Sequence, residues 1–129
     1  MTMKEMKLLI VDDEHEFAST LAERLRMRDF DTTVANSGMD ALALTGSTTF
    51  DVVLLDLKMP DMSGFEVLEK IKAHDPTVEV IMLTGHGSAA RGLDGMVRGA
   101  FDYIMKPVEL TELIVKIKQA YEKRKVNKT

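Results

Sequence analysis

Five polar side chains directly follow short aliphatic runs, and their types suit a site that holds a cation beside an anion. Asp12 and Asp13 follow the first run, while Asp56, Thr84 and Lys106 each end or follow a later one. Two carboxylates about 4 Å apart repel by about 4 kcal/mol at an effective dielectric constant of 20. Clustered carboxylates therefore protonate or take up a cation. Because the donors are all oxygen atoms, the cation predicted here is Mg²⁺, with Mn²⁺ as an alternative.

Other ligands fit these residues less well. The three histidines, His15, His74 and His86, have no metal-ligand spacing, and the chain has no cysteine. The absence of cysteine excludes a thiolate metal site, a disulfide framework and a cysteine nucleophile. Dinucleotide or flavin phosphates need a glycine-rich or hydroxyl-rich loop after the first strand. Here that loop is acidic, from Asp12 to Glu14, and would repel phosphate.

Five short apolar runs bounded by turn residues must position these side chains. Near-continuous aliphatic runs of this length are typical of strands buried on both faces of a sheet. The predicted strands cover residues 8–11, 32–35, 52–55, 80–83 and 101–105.

Stretches with helical periodicity follow each run. Ser37 is a predicted N-cap, and Ser63 begins a Ser-x-x-Glu capping box. Ser88 is the predicted cap of the fourth helix, in which Gly92 and Gly95 each cost about 1 kcal/mol relative to alanine. We therefore expect the fourth helix to be mobile.

Five strand–helix units imply an α/β fold, a parallel sheet with helices on both faces. Ligands bind such sheets beyond the carboxyl ends of the strands, where the five polar residues would meet.

Length and charge limit the class of protein. A chain of 129 residues is predicted to form one domain over residues 1–129, with its core over about 6–122 and an exposed basic tail over 123–129. The net charge of −4 argues against direct nucleic-acid binding as the main role. No apolar run approaches the roughly 18 residues of a membrane-spanning helix, so membrane insertion is not expected. The N-terminus lacks the pattern of a signal peptide, and we expect a cytoplasmic protein.

At these residues the sequence resembles the receiver domains of bacterial two-component response regulators. The resemblance covers about residues 6–122, and its most specific segments are 10–14, 53–64, 83–85 and 99–107. It implies a doubly wound, flavodoxin-like (β/α)5 fold with five parallel strands in the order 2-1-3-4-5. The sequence of residues 83–87 and 99–103 is also similar to that of receivers attached to sigma-54 activators.

The resemblance assigns a role to each polar residue at the sheet edge. Asp56 matches the aspartate that accepts a phosphoryl group from a sensor histidine kinase. Asp12, Asp13, Asp56 and the backbone carbonyl of Lys58 would hold Mg²⁺, Asp12 mainly through a bound water. Lys106 would pair with the phosphoryl group, and its peptide bond to the following proline matches a position that is often cis.

The resemblance also implies a conformational output. Thr84 would hydrogen-bond to the attached phosphoryl group, and Tyr103 would then turn inward. The surface formed by helix 4, strand 5 and helix 5 would change as a population shift. Lys58 and His86 occupy positions that tune the lifetime of the phosphoryl group in this family.

Several partners follow from the same resemblance. The donor would be a sensor histidine kinase or a phosphotransfer protein. The recipient of the signal would be an output protein or an effector domain C-terminal to this sequence. Phosphorylation-dependent dimerisation through helices 4 and 5 is a further expectation. The protein would not be an enzyme acting on other molecules, although it would assist its own phosphorylation and dephosphorylation.

Two alternatives remain open at this stage. A haloacid-dehalogenase-type phosphatase also uses an aspartate nucleophile, but that family has a second aspartate two residues later, where this chain has Lys58. A receiver that acts without phosphorylation would need none of Asp12, Asp13, Asp56, Thr84 and Lys106, which are all present.

Overall fold

The computed structural model describes residues 6–85 and 89–128, without the side chains of residues 89–92. Its five strands are β1 (Lys7–Val11), β2 (Asp31–Ala35), β3 (Val52–Asp56), β4 (Glu79–Thr84) and β5 (Asp102–Met105). The five helices are α1 (His15–Arg26), α2 (Gly38–Ser47), α3 (Gly64–His74), α4 (Ala89–Val97) and α5 (Leu110–Lys128). Among the helices of this described part, none has the length and apolar character to cross a membrane.

The strands form one parallel sheet in the order β2-β1-β3-β4-β5, which confirms the predicted fold class. Each observed strand begins and ends within one residue of its predicted bounds. In the register, Val11 lies opposite Leu55, and Asp56 lies opposite Leu83. Asp12 therefore leaves β1 at the level at which Asp56 ends β3, so the two carboxylates belong to neighbouring strand ends.

The sheet separates two hydrophobic cores, because successive side chains of a strand point to opposite faces. On one face, alternate strand residues pack against α1 and α5; examples are Leu8, Ile10, Leu54, Ile81, Leu25 and Ile117. On the other face, the intervening residues pack against α2 and α3; examples are Leu9, Val11, Val53, Val80, Leu68 and Ile71. The three central strands are thus buried on both sides, which holds their carboxyl ends in fixed positions.

Two of the predicted helix caps are present. The Ser37 hydroxyl accepts a hydrogen bond from the Asp40 amide at 3.0 Å at the start of α2. The Ser63 hydroxyl accepts from the Phe65 amide at 3.1 Å, one residue earlier than the Glu66 amide that a capping box uses. Ser88 lies outside the described residues, so the predicted cap of α4 stays a prediction.

The prediction of an exposed basic tail after residue 122 is wrong at Arg124. Helix α5 continues to Lys128, and Arg124 is only 1% exposed. Its guanidinium Nε donates to Asp51 Oδ1 at 2.8 Å, and another of its nitrogens donates to the Thr77 hydroxyl. Because the helix continues for two more turns, this side chain reaches the amino end of the sheet and finds acidic partners there.

Candidate functional site

Three carboxylates meet at the carboxyl edge of the sheet. Asp12 and Asp13 follow β1, and Asp56 is the last residue of β3. One oxygen atom from each of the three lies within 4.8 Å of the other two. Asp12 is fully buried, Asp56 is buried and Asp13 is partly exposed. The structure therefore brings together the three acids that the sequence places after aliphatic runs.

Burial and neighbouring charges change the pKa values of the acids in this site. Burial, together with the nearby charge of Asp12, raises the pKa of Asp56 to about 6 despite the opposing effect of Lys106. Burial also raises the pKa of Asp12, although the Glu14 amide and Lys106 act in the opposite direction. The pKa of both carboxyl groups is thus held above its ordinary value because burial outweighs the hydrogen bonds to them and the charge of Lys106.

The donor set fits a small divalent cation. Ligand oxygens that lie about 2.0–2.1 Å from an octahedral Mg²⁺ are about 3–4 Å from one another. One oxygen from each of Asp12, Asp13 and Asp56 lies within 4.8 Å of the other two, so small side-chain movements would bring the three to these separations. The Lys58 amide donates to Asp56 Oδ1 at 3.4 Å, so the backbone of Lys58 lies beside the same carboxylate, while its side chain is exposed.

Lys106 supplies positive charge to this edge. Its ammonium Nζ lies 3.0 Å from Asp12 Oδ2, 3.1 Å from Glu14 Oε1 and 3.8 Å from Asp56 Oδ1. The ammonium also lies 4.4 Å from the centre of the Phe17 ring, within reach of a cation–π interaction. Burial alone lowers the pKa of Lys106, but hydrogen bonds to Asp12 and Glu14 outweigh burial and raise it. The side chain therefore remains a cation.

The backbone at the end of β5 fixes Lys106 beside β4. The Lys106 amide donates to the Thr84 carbonyl at 2.7 Å, and the peptide bond to Pro107 is cis, as the resemblance implies. Sequence reasoning assigned no role to Glu14 or Phe17. The signal for Glu14 was present in the continuous acidic stretch that it shares with Asp12, but no local pattern connects Phe17 with a lysine almost ninety residues later.

Thr84 and Tyr103 lie on the neighbouring strands. The Thr84 side chain is fully buried, and its hydroxyl has no hydrogen-bond partner among the described residues. A buried hydroxyl without a partner costs about 1–3 kcal/mol, so this group can gain from a ligand that accepts its hydrogen. Tyr103 is partly buried and packs against the core on the α2–α3 face. His86 lies outside the described residues, and its role stays a prediction.

The loop after Asp56 is held by two residues whose roles the sequence did not reveal. Both carboxylate oxygens of Asp61 accept backbone amide hydrogens at the start of α2, from Met39 at 3.0 Å and Gly38 at 3.1 Å. These hydrogen bonds lower the pKa of Asp61. A Cβ atom at Gly64 would lie 2.6 Å from the Asp56 carbonyl oxygen. Glycine there lets α3 begin directly against the backbone of Asp56.

The fold and this acidic edge together define a class of protein. The sequence profile described as "Response regulator receiver domain" matches residues 8–118. The chain therefore belongs to the response regulator receiver domain family, the phosphoacceptor signalling domains of two-component systems.

Individual relatives agree with this assignment. The chain is 34% identical over 122 residues to "Regulatory protein AtoC" of Escherichia coli (strain K12), an alignment that covers 95% of this chain and 26% of that protein. It is 41% identical over 111 residues to "Sensory transduction protein RegX3" of Mycolicibacterium smegmatis (strain ATCC 700084 / mc(2)155), covering 86% of this chain and 48% of that protein. The chain thus spans about a quarter to a half of the length of these relatives.

Solved structures match over the whole fold. A response regulator receiver domain protein (CheY-like) from Methanospirillum hungatei JF-1 superposes with a TM-score of 0.88 at 32% identity, covering 95% of this chain and 98% of that one. NtrX from Brucella abortus, solved with ADP, superposes with a TM-score of 0.91 at 29% identity, covering 99% of this chain and 29% of that one.

Proposed function

We propose that this chain is a phosphorylation-activated switch that accepts a phosphoryl group on Asp56 from a sensor histidine kinase or a phosphotransfer protein. One observation carries the proposal. The buried carboxylate of Asp56 lies beside two further carboxylates, and the Lys106 ammonium is 3.8 Å away from it. A carboxylate nucleophile that needs a cation for its phosphodonor requires this arrangement.

The transfer is a displacement at phosphorus. An oxygen of ionised Asp56 forms the new bond to phosphorus, the bond from phosphorus to the donor histidine nitrogen breaks, and that nitrogen keeps the electron pair. A bound Mg²⁺ supplies neutralisation of the charge on the phosphoryl oxygens. Asp12, Asp13, Asp56 and the Lys58 carbonyl would hold that ion, and Lys106 would pair with the transferred group as a second positive charge.

The output begins with Thr84. Thr84 moves toward the phosphoryl group on Asp56, and its hydroxyl donates a hydrogen bond to a phosphoryl oxygen. Tyr103 then turns into the space that Thr84 has left. The population then shifts toward a different surface on α4, β5 and α5. That surface already exposes large apolar side chains, Leu93 and Val97 on α4 and Met105 on β5, which suit contact with an output protein, an effector domain or a second copy of the chain. Lys58 tunes the lifetime of the phosphoryl group.

Intact mass after incubation with a small phosphodonor tests this function. Wild type, Asp56→Asn and Asp40→Asn are each treated with phosphoramidate and Mg²⁺. Asp40 is an exposed carboxylate on α2 and serves as the matched control. We expect one hydroxylamine-labile phosphoryl group on wild type and Asp40→Asn, and none on Asp56→Asn.

Two results would overturn the proposal. If wild type gains no phosphoryl group, the chain is an interaction module that works without phosphorylation. If the donor is turned over continuously, much faster than the phosphoprotein decays, the chain is a phosphatase with an aspartate nucleophile.

A further inference from the structure

A fourth carboxylate, that of Glu14, lies at the rim of the site and has no role in the transfer described above. Lys106 Nζ donates to Asp12 Oδ2 at 3.0 Å and to Glu14 Oε1 at 3.1 Å. The distance from Nζ to Asp56 Oδ1 is 3.8 Å, which is longer than a hydrogen bond. In this structure the ammonium is therefore bonded to two other carboxylates rather than to the phosphoacceptor.

Local helix geometry does not explain where the Glu14 side chain lies. Glu14 is the N-cap residue of α1, but its side chain makes no capping hydrogen bond. Its backbone is fixed independently, because its amide donates to Asp12 Oδ1 at 2.9 Å and its carbonyl accepts from the Ala18 amide at 2.9 Å. The carboxylate is instead bonded to Lys106, a residue 92 positions later.

The two carboxylates that are bonded to Lys106 differ in their exposure to solvent. The Asp12 side chain is 0% exposed, whereas that of Glu14 is 64% exposed. When a phosphoryl group arrives on Asp56, the ammonium must move toward it and must weaken one of its present bonds. The bond to the solvent-exposed Glu14 is the one that can be released without leaving a buried charge unpaired.

We propose that Glu14 is a positioning residue that holds Lys106 in a resting position and thereby slows capture of the phosphoryl group, an inference that rests on the proposed function. The negative charge of Glu14 competes with the phosphoryl oxygens for the same ammonium. Its removal frees Lys106 for the incoming group. Phosphorylation by a small donor should then be faster, while Asp56 and the metal-binding carboxylates remain unchanged.

The rate of phosphorylation by phosphoramidate measures this effect. In that reaction an Asp56 oxygen bonds to phosphorus, the phosphorus–nitrogen bond breaks, and ammonia leaves with the electron pair and a proton. We compare wild type with Glu14→Gln and with Glu16→Gln, an exposed glutamate in the first turn of α1 that loses the same charge. Exposed ion pairs of this kind change equilibria by about 1.4- to 5-fold, so Glu14→Gln should be faster by about that factor and Glu16→Gln should match wild type.

A double-mutant cycle shows whether the effect passes through Lys106. Lys106→Met and Glu14→Gln/Lys106→Met are measured under the same conditions. We expect the gain from Glu14→Gln to disappear in the Lys106→Met background, because the two side chains act as a pair. An equal gain in both backgrounds would overturn the proposal, since it would mean that Glu14 acts only by repelling the donor. Equal rates for Glu14→Gln and Glu16→Gln would overturn it as well.

A second readout separates this inference from the proposed function. The NMR resonance of the Lys106 ammonium, recorded with Mg²⁺ alone, should shift in Glu14→Gln and not in Glu16→Gln. If wild type is never phosphorylated, the proposed function fails, but the shift still tests the contact. If wild type is phosphorylated and the Lys106 resonance is the same in all three proteins, the role of Glu14 is overturned alone.

Discussion

The two ends of the sheet carry similar numbers of acidic side chains but differ in how many basic side chains pair with them. At the carboxyl end, Lys106 alone makes ion pairs with the acids of the site within the part of the chain that the structure describes. At the amino end, three acids face three bases; the acids are Asp51, Asp75 and Glu79, and the bases are Lys72, Lys123 and Arg124.

The amino end uses its charges to hold the fold together. Arg124 joins α5 to Asp51 at 2.8 Å and approaches Asp75 at 3.8 Å. Glu79 is 1% exposed, with Lys72 at 3.8 Å and Lys123 at 3.7 Å from its carboxylate oxygens. Each buried charge there has an opposite charge within 4 Å, although Glu79 Oε1 makes no hydrogen bond among the described residues.

The carboxyl end leaves its charges short of partners. Burial and Asp12 raise the pKa of Asp56 to about 6, and the Thr84 hydroxyl has no partner among the described residues. Buried carboxylates with too little positive charge nearby make the folded protein less stable. Because this occurs at the carboxyl end and not at the amino end, the carboxyl end is the place where a ligand is expected to bind. The two ends should therefore respond to mutation with opposite signs.

The largest expected effect is at the amino end. Arg124→Met should lower the free energy of unfolding by about 3 kcal/mol or more, because it leaves Asp51 without its buried partner. Urea denaturation measures this, with Lys118→Met, an exposed lysine on the same helix, as the control expected to change stability by less than about 0.5 kcal/mol. A loss below about 1 kcal/mol for Arg124→Met would show that the amino end is not held by this pair.

The next effect is a pH dependence at the carboxyl end. The pKa of Asp56 is raised to about 6 in the folded protein from 3.8, so the folded state binds its proton more tightly than the unfolded state. Stability should therefore be higher near pH 4 and fall by up to about 3 kcal/mol as the pH rises through 6, without Mg²⁺. The difference between wild type and Asp56→Asn in urea denaturation isolates this contribution. A difference that stays constant between pH 4 and 7 would contradict the prediction.

A smaller effect separates stability from metal binding. Asp13→Asn removes one of the crowded carboxylates, so the apo protein should become more stable by about 1 kcal/mol. The same change should weaken Mg²⁺ binding at least tenfold, because it removes a ligand. Urea denaturation without metal and a calorimetric Mg²⁺ titration measure the two effects. Lower apo stability in Asp13→Asn, or unchanged Mg²⁺ affinity, would count against a metal site here.

The smallest effect compares two buried threonines at opposite ends of the sheet. The Thr84 hydroxyl has no partner among the described residues, whereas the Thr32 hydroxyl donates to the Phe30 carbonyl at 3.2 Å. Thr84→Val should leave stability unchanged or slightly higher, and Thr32→Val should lower it by about 1 kcal/mol. Thermal unfolding of the two variants side by side gives the comparison. A larger loss for Thr84→Val than for Thr32→Val would mean that Thr84 is already satisfied.

The sequence alone predicted the carboxyl end better than the amino end. Aliphatic runs that end in Asp12, Asp56 and Thr84 are local patterns, and a parallel sheet brings the ends of its strands to one edge. The strand order came from the family resemblance rather than from the residues. Long-range pairs were not predictable, because the bond between Lys106 and Glu14 spans 92 positions and periodicity carries no information about it.

Arg124 is an instructive error. The sequence analysis places the end of the core at about residue 122, and the basic residues that follow suggest an exposed tail. Arg124 lies one turn after Tyr121 on the same helix face as Leu113 and Ile117, all of them buried. The helical spacing therefore indicated that residue 124 lies on the buried face of the helix. The prediction failed because a charged side chain was assumed to be exposed.

Locating the phosphoryl group on the chain shows directly whether Asp56 is the acceptor. Wild type is treated with phosphoramidate with and without Mg²⁺, the acyl phosphate is reduced with borohydride to trap its position, and the peptides are sequenced by mass spectrometry. We expect one modified residue, Asp56, and only when Mg²⁺ is present. Modification at another residue, or equal modification of Asp56 without Mg²⁺, would contradict the assignment of the acidic end of the sheet as a metal-dependent phosphoryl acceptor.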